Sequence, residues 1–255
     1  MPVKLKHHFG GWKPQLPDHR DKKLSLAGPV VLPPLVDLRT DGFEPSIYNQ
    51  GQLGSCTANA IGALFEAELK KQGLADFSPS RLFIYYNERV MEGDPSVDGG
   101  AEIRDGMKSL ATQGVCPETN WPYIENLFAK EPPALCYASG LLNKATSYLA
   151  VNQDIFSLKS CLALGYRFTF GITVYDSFES GAVASSGMVP IPGQDESVLG
   201  GHAIACVGYD DSKQCFIMRN SWGTTWGLAG YFYLPYSYVL NTDLASDFWT
   251  LRLVA

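Results

Sequence analysis

Residues 50–61 read Gln-Gly-Gln-Leu-Gly-Ser-Cys-Thr-Ala-Asn-Ala-Ile, a glycine-rich loop that runs into a helix with a cysteine at the junction. The apolar residues that follow, at 60, 61, 64, 65 and 69, have the spacing of one helix face. Ser55 is a candidate N-cap, and Gly73 is a candidate C-terminal stop. A cysteine in the first turn lies at the positive end of the helix dipole, which lowers the thiol pKa and favours the nucleophilic thiolate. Cys56 is therefore either a nucleophile or, as the alternative, a buried and inert cysteine.

The composition is that of a globular chain. Its 255 residues, 45% of them hydrophobic, predict one large domain or two small ones with a sizeable core. A net charge of −6 argues against nucleic acid or an anionic membrane as the main partner, and no apolar run is long enough to span a bilayer. The N-terminus lacks the apolar core of a secretory signal, so we expect a cytoplasmic location with reduced thiols, and export by another route stays open.

The sequence predicts helices first and strands afterwards, which indicates an α+β arrangement with a cleft between a helical half and a sheet half. Residues 32–49 are interpreted as a strand or an extended lead-in, and residues 115–145 as irregular. A Ser-Pro pair at 78–79 predicts a helix start. Predicted helices run from residue 56, from 79 to about 91, over 101–113 and near 155–164, and predicted strands cover 166–175, 203–209, 215–218, 231–234 and 248–254.

The histidines narrow the choice of a partner for Cys56. Of four histidines, His7, His8 and His19 lie in the N-terminal segment, so His202 is the one histidine of the folded body. If an imidazole on the rigid scaffold activates Cys56, His202 provides it. It follows two glycines at the start of a predicted strand, which we interpret as an exposed edge of the sheet half. The adjacent pair His7 and His8 is interpreted as solvated, with a metal-binding pair as the alternative. Neither a metal nor a cofactor is expected.

An orienting group for His202 is expected on a neighbouring strand. Asn220 follows the next predicted strand, in Asn-Ser-Trp-Gly-Thr-Thr-Trp-Gly. Tryptophans beside an asparagine can shield a buried hydrogen bond from water. An Asn-Ser turn with Trp222 in the core explains the same residues equally well.

Three motifs in this order, Gln-x5-Cys, Gly-His-Ala and Asn-Ser-Trp-Gly-x2-Trp-Gly, resemble those of the papain family of cysteine peptidases. The resemblance covers about residues 33–253 and implies a papain-like two-subdomain fold, with a helical left half and an antiparallel, β-barrel-like right half. Val-Asp-Leu-Arg at 36–39 resembles the start of the family's mature domain. The N-terminal elements Gly-Trp-Lys-Pro and Leu-Pro-Asp-His-Arg-Asp resemble the bacterial branch of the family.

The resemblance implies a role for each matched position. Cys56 would be the nucleophile, His202 the general base and acid, and Asn220 the group that orients the imidazole. Gln50 and the Cys56 backbone N–H would form the oxyanion hole, and Trp222 would cover the Asn–His hydrogen bond. The implied substrate-binding positions are Gly99, Gly100, Ala203 and Trp222.

These roles imply a cysteine endopeptidase that acts on peptides or proteins through a thioacyl-enzyme. A thiol transpeptidase or deamidase on the same scaffold, and a catalytically silent peptide-binding relative, are the alternatives. Two positions depart from the family pattern: Leu53 stands where a disulfide cysteine is usual, and Thr57 stands where an aromatic residue is usual. About thirty residues replace the family's long inhibitory propeptide.

The expected domains are an N-terminal extension, residues 1–31, and a peptidase domain, residues 32–255, with a helical half over about 40–145 and a β half over about 146–250. We expect a monomer. Trp12 and the prolines of the extension favour an extended segment that docks across or beside the cleft and restricts access without fully blocking Cys56. The alternative is a staple that joins the two halves away from the site.

Overall fold

The computed structural model describes residues 10–26 and 28–255. His7, His8 and the rest of residues 1–9 lie outside the described residues, as does Ala27, so the interpretation of the histidine pair stays a prediction. Seven helices and seven strands are found in the described part of the chain. The helices are α1 (Cys56–Lys71), α2 (Arg81–Met91), α3 (Ile103–Thr112), α4 (Ala134–Gly140), α5 (Ile155–Ala163), α6 (Gly181–Ser186) and α7 (Tyr236–Val239).

Helix α1 starts at Cys56 and ends before Gly73, whose φ of +67° is the left-handed conformation typical of a glycine stop. Ser55 is the N-cap, but among the described residues its side chain makes no capping bond. Its hydroxyl instead pairs with the Tyr123 hydroxyl at 2.6 Å. Helix α2 begins at Arg81, two residues later than the Ser-Pro pair predicts, because the cap is Ser80, whose Oγ accepts the Phe83 N–H.

The strands form one antiparallel sheet with the order β2-β7-β3-β4-β5-β6, and β1 pairs with β4. The sequence predicts β3 to β7 to within a few residues. It misses β2, which begins at the last residue of the stretch interpreted as irregular and continues beyond it, and β1 is shorter than the predicted lead-in. The strands are β1 (Leu35–Asp37), β2 (Ala145–Ala150), β3 (Phe168–Tyr175), β4 (Val198–Asp210), β5 (Cys215–Arg219), β6 (Tyr231–Pro235) and β7 (Ala245–Val254).

Two apolar clusters make up the core. One lies on the side of the sheet where Phe168, Phe216 and Phe232 pack together. The other lies between α1, α2 and α3 and the opposite side of the sheet. Helix α1 is central, because 14 of its residues are buried and it packs against β4 and β7 as well as α2 and α3. The α+β prediction is confirmed, and the start of α1 faces the sheet.

None of the helices in residues 10–26 and 28–255 combines the length and the apolarity needed to cross a membrane.

Candidate active site

Cys56 is the first residue of α1 and is 1% exposed. Its Sγ accepts the backbone N–H of Ala203, in β4, at 3.2 Å. Burial raises the pKa of this thiol to about 12, against the opposing effect of the Ala203 N–H. The sequence predicts a lowered pKa from the helix dipole alone. The pKa is raised instead because the sulfur is covered, and removal from water disfavours the charged thiolate.

His202 lies within β4, and its ring is buried. The prediction of an exposed sheet edge is wrong, because β4 begins at Val198 and pairs with β3 on one side and β5 on the other. His202 lies opposite Ile172 of β3, and the next residue, Ala203, contacts the Cys56 sulfur. The sheet therefore holds the imidazole-bearing residue beside the start of α1.

Asn220 follows β5 directly and is the hydrogen-bond partner of His202, with 2.9 Å between Asn220 Oδ1 and His202 Nε2. The same Oδ1 accepts the backbone N–H of Ser221 at 2.8 Å. A backbone N–H can only donate, so it is the amide oxygen that faces the ring. His202 then carries its proton on Nε2 when neutral, and Nδ1 is the ring nitrogen that can accept a further proton.

Trp222 lies over the imidazole, with the ring centroids of Trp222 and His202 4.9 Å apart and the planes inclined by 24°. Phe178 and Trp226 pack edge-on against the same indole. This aromatic group shields the bond between His202 and Asn220 from water. In a water-poor site such a hydrogen bond is stronger electrostatically than in solution.

Gln50 is fully buried in the loop before α1. Its Oε1 accepts the Ser221 hydroxyl at 2.6 Å, and its Nε2 donates to the Leu53 carbonyl at 2.9 Å. These two bonds fix the orientation of the amide. Because the amide carries two N–H groups and the bond to Leu53 uses one, a second donor remains on Nε2.

Of the implied substrate-binding positions, Gly99 and Gly100 face residues 10–13. A Cβ at Gly100 would lie 2.4 Å from the Gly10 carbonyl oxygen, and one at Gly99 would lie 3.7 Å from Lys13 Nζ. The next residue, Ala101, donates to the Gly11 carbonyl and accepts the Lys13 N–H, each at 3.0 Å. Ala203 lies at the sulfur and Trp222 at the imidazole, as described above.

Several residues of this region have no role that the sequence predicts. Ser221 orients Gln50, as shown above. The Asp98 carboxylate accepts the Gly54 N–H at 3.0 Å and so fixes the loop before Cys56. The Thr57 hydroxyl donates to the fully buried carboxyl of Glu88 at 2.8 Å. Burial raises the pKa of Glu88 well above its ordinary value, and the hydrogen bond from Thr57 acts against that rise.

Comparison with known proteins agrees with this geometry. The family model described as "Papain family cysteine protease" matches residues 32–247. The solved structure of xylellain, a cysteine protease from Xylella fastidiosa, is 43% identical with a TM-score of 0.92 and covers all of both chains. An uncharacterised peptidase C1-like protein of Acanthamoeba polyphaga mimivirus is 40% identical over 89% of this chain and 76% of its own length.

More distant relatives are also similar to this chain. Cathepsin K of Gallus gallus is 28% identical over 78% of this chain, which spans 58% of the cathepsin's own length. The papain-like two-subdomain fold and the resemblance to the bacterial branch are confirmed by the xylellain structure. The chain belongs to the papain family of cysteine proteases.

Proposed function

We propose that this chain is a cysteine endopeptidase in which Cys56 and His202 form a thiolate–imidazolium pair. The observation that carries the proposal is the hydrogen bond from the Ala203 N–H to Cys56 Sγ at 3.2 Å. This bond places Ala203, the residue next to His202, against the Cys56 thiol, which is 147 positions away in the chain. The thiol therefore lies in the first turn of α1, and the histidine lies on β4, the strand that packs against this helix.

In the proposed reaction, Cys56 Sγ forms a bond to the carbonyl carbon of the scissile peptide. The leaving amine takes the proton of the His202 imidazolium as the C–N bond breaks, which leaves a thioester on Cys56. Water then attacks the thioester while the imidazole removes its proton. The carboxylate product leaves, and the thiolate and imidazolium are restored.

Charge that develops on the carbonyl oxygen needs fixed donors. The second N–H of Gln50 Nε2 and the Cys56 backbone N–H are the donors we assign to it. The bonds of Gln50 to Ser221 and Leu53 hold its amide before substrate arrives, so its orientation costs nothing during the reaction.

We further propose that residues 10–13 cover the site in the resting chain. A Cβ on Gly11 would lie 2.7 Å from Cys56 Sγ and 2.5 Å from the Gly54 carbonyl oxygen, so Gly11 fits only because it has no side chain. Cys56 is 1% exposed with the segment in this position, which is tighter than the partial cover that the sequence suggests. Asp21 forms an ion pair with the buried Arg104 at 2.8 Å, a contact that suits the alternative of a staple. Residues further along the extension, such as Asp21, would then anchor residues 10–13 over Cys56.

Alkylation of Cys56 in the intact chain is expected to rise about tenfold per pH unit from about pH 6 to about pH 9, without a plateau, because the thiolate is the reacting form. The sign follows from burial, which raises the pKa of Cys56 to about 12 in the covered site, so the covered thiol stays protonated throughout this range. The thiolate–imidazolium pair is proposed for the site once residues 10–13 have left it. Iodoacetamide labelling followed by mass spectrometry of the Cys56 peptide measures the rate. A plateau that begins near pH 5 would mean that the ion pair persists under the cover.

Gly11→Ala in the full chain is expected to raise the alkylation rate of Cys56 at neutral pH by at least about tenfold, since about 1.4 kcal/mol of strain shifts the open population by that factor. The new methyl group would overlap backbone at Gly54 and the sulfur, both fixed by the start of α1. Gly28→Ala is the matched control, because no described atom lies within 4 Å of its added Cβ. An unchanged rate in Gly11→Ala, with or without a lower melting temperature, would favour the staple.

Product analysis tests the proposed reaction against its alternatives. A peptide blocked at both ends is incubated with the chain, with and without an added amine, and the masses of the products are measured by mass spectrometry. Internal cleavage with the gain of one water supports an endopeptidase. Capture of the acyl group mainly by the amine would support a transpeptidase, loss of ammonia from glutamine a deamidase, and tight binding without any product the silent relative.

A further inference from the structure

Trp12 fills a slot between two strands of the sheet. The residue is 6% exposed, and its indole lies against β3 and β4 where each strand carries a glycine. A Cβ at Gly171 would lie 1.9 Å from Trp12 Cε2, and one at Gly201 would lie 2.9 Å from Cε3. The slot therefore exists because neither strand has a side chain there. Its flat shape suits an aromatic ring.

A carboxylate lies at the end of the slot. Asp247 Oδ2 accepts the indole N–H of Trp12 at 2.9 Å and the backbone N–H of Gln15 at 3.0 Å. Burial raises the pKa of Asp247, and these two donors act against that rise. A side chain that fills the slot without an N–H would leave this half-buried acceptor with a lost hydrogen bond, which carries a cost in free energy.

The backbone of β7 is deformed where it presents Asp247. Its register with β3 passes from Ser246 opposite Gly171 to Trp249 opposite Thr169, so two residues of β7 face one residue of β3. Asp247 has a φ of +64°, a conformation that costs a non-glycine residue free energy. Bulges of this kind re-aim side chains next to active sites. Here the bulge turns a carboxylate toward the slot.

The slot opens beside the nucleophile. Trp12 follows Gly11 directly, and a Cβ on Gly11 would lie 2.7 Å from Cys56 Sγ. A peptide whose scissile carbonyl reaches the sulfur therefore brings a side chain one or two residues away to the mouth of the slot. Trp12 occupies the space that this side chain would take.

We propose that the slot is a specificity site of the protease and selects a substrate tryptophan, by shape through Gly171 and Gly201 and by its N–H through Asp247. This inference rests on the proposed function and names one feature of its substrate. Trp12 mimics that substrate side chain from within the chain. A bicyclic aromatic side chain that has no N–H fits the slot but gives Asp247 no hydrogen bond in place of the one from the indole.

The test uses the full chain with Trp12→Ala, which empties the slot, and peptidyl coumarin amides that carry tryptophan, naphthylalanine or alanine at the first or second residue before the scissile bond. At one of these positions we expect tryptophan to exceed naphthylalanine about tenfold in kcat/KM, the effect of one hydrogen bond to a carboxylate. Asp247→Gly in the same background, chosen because glycine accepts a positive φ, should reduce this ratio to about 1. Asp243→Asn, an exposed acidic residue before β7, should leave the ratio unchanged.

Gly171→Ala in the Trp12→Ala chain is a second test, and it does not alter the bulge at Asp247. Its Cβ should intrude into the slot and remove the advantage of both bicyclic residues over alanine. A kcat/KM ratio of tryptophan to naphthylalanine near 1 in the Trp12→Ala chain would overturn the specificity site. A preference for tryptophan that persists after Asp247→Gly would also overturn it, and in both cases the proposed protease activity would stand. If no substrate is turned over and an epoxide inhibitor leaves Cys56 unlabelled, the proposed function itself fails, and this inference with it.

Discussion

Cys56→Ala is expected to lower kcat/KM for peptide hydrolysis by at least about 10⁴-fold, the scale on which loss of a covalent nucleophile acts in comparable hydrolases. Without Sγ no thioester can form, and neither His202 nor Gln50 can replace it. Cys56→Ser should be nearly as inactive, because a hydroxyl with its high pKa forms no ion pair with the imidazole. The measurement is turnover of a fluorogenic peptide at several enzyme concentrations.

Cys215→Ala is the matched control for this loss. Cys215 is also buried, but it lies at the start of β5, and its Sγ contacts the Lys213 carbonyl rather than the site. All six cysteines lie in the described residues and carry free thiols, so no variant breaks a disulfide. Loss of activity in both variants, or substantial turnover in Cys56→Ala with an unchanged melting temperature, would contradict the assigned nucleophile.

Gln50→Ala is expected to lower kcat by about 10²–10³-fold with little change in KM, since an oxyanion donor acts chiefly in the transition state. The substitution removes the N–H aimed at the oxyanion and also the bonds to Ser221 and Leu53. Gln50→Glu keeps an acceptor for the Ser221 hydroxyl but loses both N–H groups, so a similar loss of kcat in both variants would exclude the Ser221 bond as its cause. Steady-state kinetics and melting temperatures of both variants are the measurements.

Gln52→Ala is the control from the same loop, because Gln52 is exposed. It should leave kcat unchanged. If Gln50→Ala and Gln50→Glu raised KM alone, Gln50 would bind substrate in its ground state, and the oxyanion role would be wrong.

Local sequence was enough to predict the start of α1, and it singled out His202 as a candidate that lies on the strand beside that helix. Loop glycines and an apolar helix face indicated Cys56, and a count of histidines indicated His202, whose neighbour Ala203 donates its backbone N–H to Cys56 Sγ at 3.2 Å. Asn220 also lies where the motif placed it. These features depend on short spacings, which a single sequence displays directly.

Other features depend on contacts between distant parts of the chain. The pKa of Cys56 is raised because Gly11 and β4 cover the sulfur, whereas the helix dipole, read from the sequence, acts the other way. His202 is buried because β4 is longer than its apolar run suggests and pairs on both sides. The bulge at Asp247 follows from the pairing of β7 with β3, and no residue pattern in β7 predicts it.

The most direct test of the central claim is active-site titration of the Trp12→Ala chain with a peptidyl epoxide, followed by mass mapping of the adduct. A thiolate activated by His202 and set in a peptide-binding cleft predicts one adduct per chain, on Cys56, and loss of peptide hydrolysis in proportion to labelling. His202→Ala in the same background should slow that labelling by a large factor at neutral pH. An adduct on another residue, or hydrolysis that continues after Cys56 is fully labelled, would contradict the account.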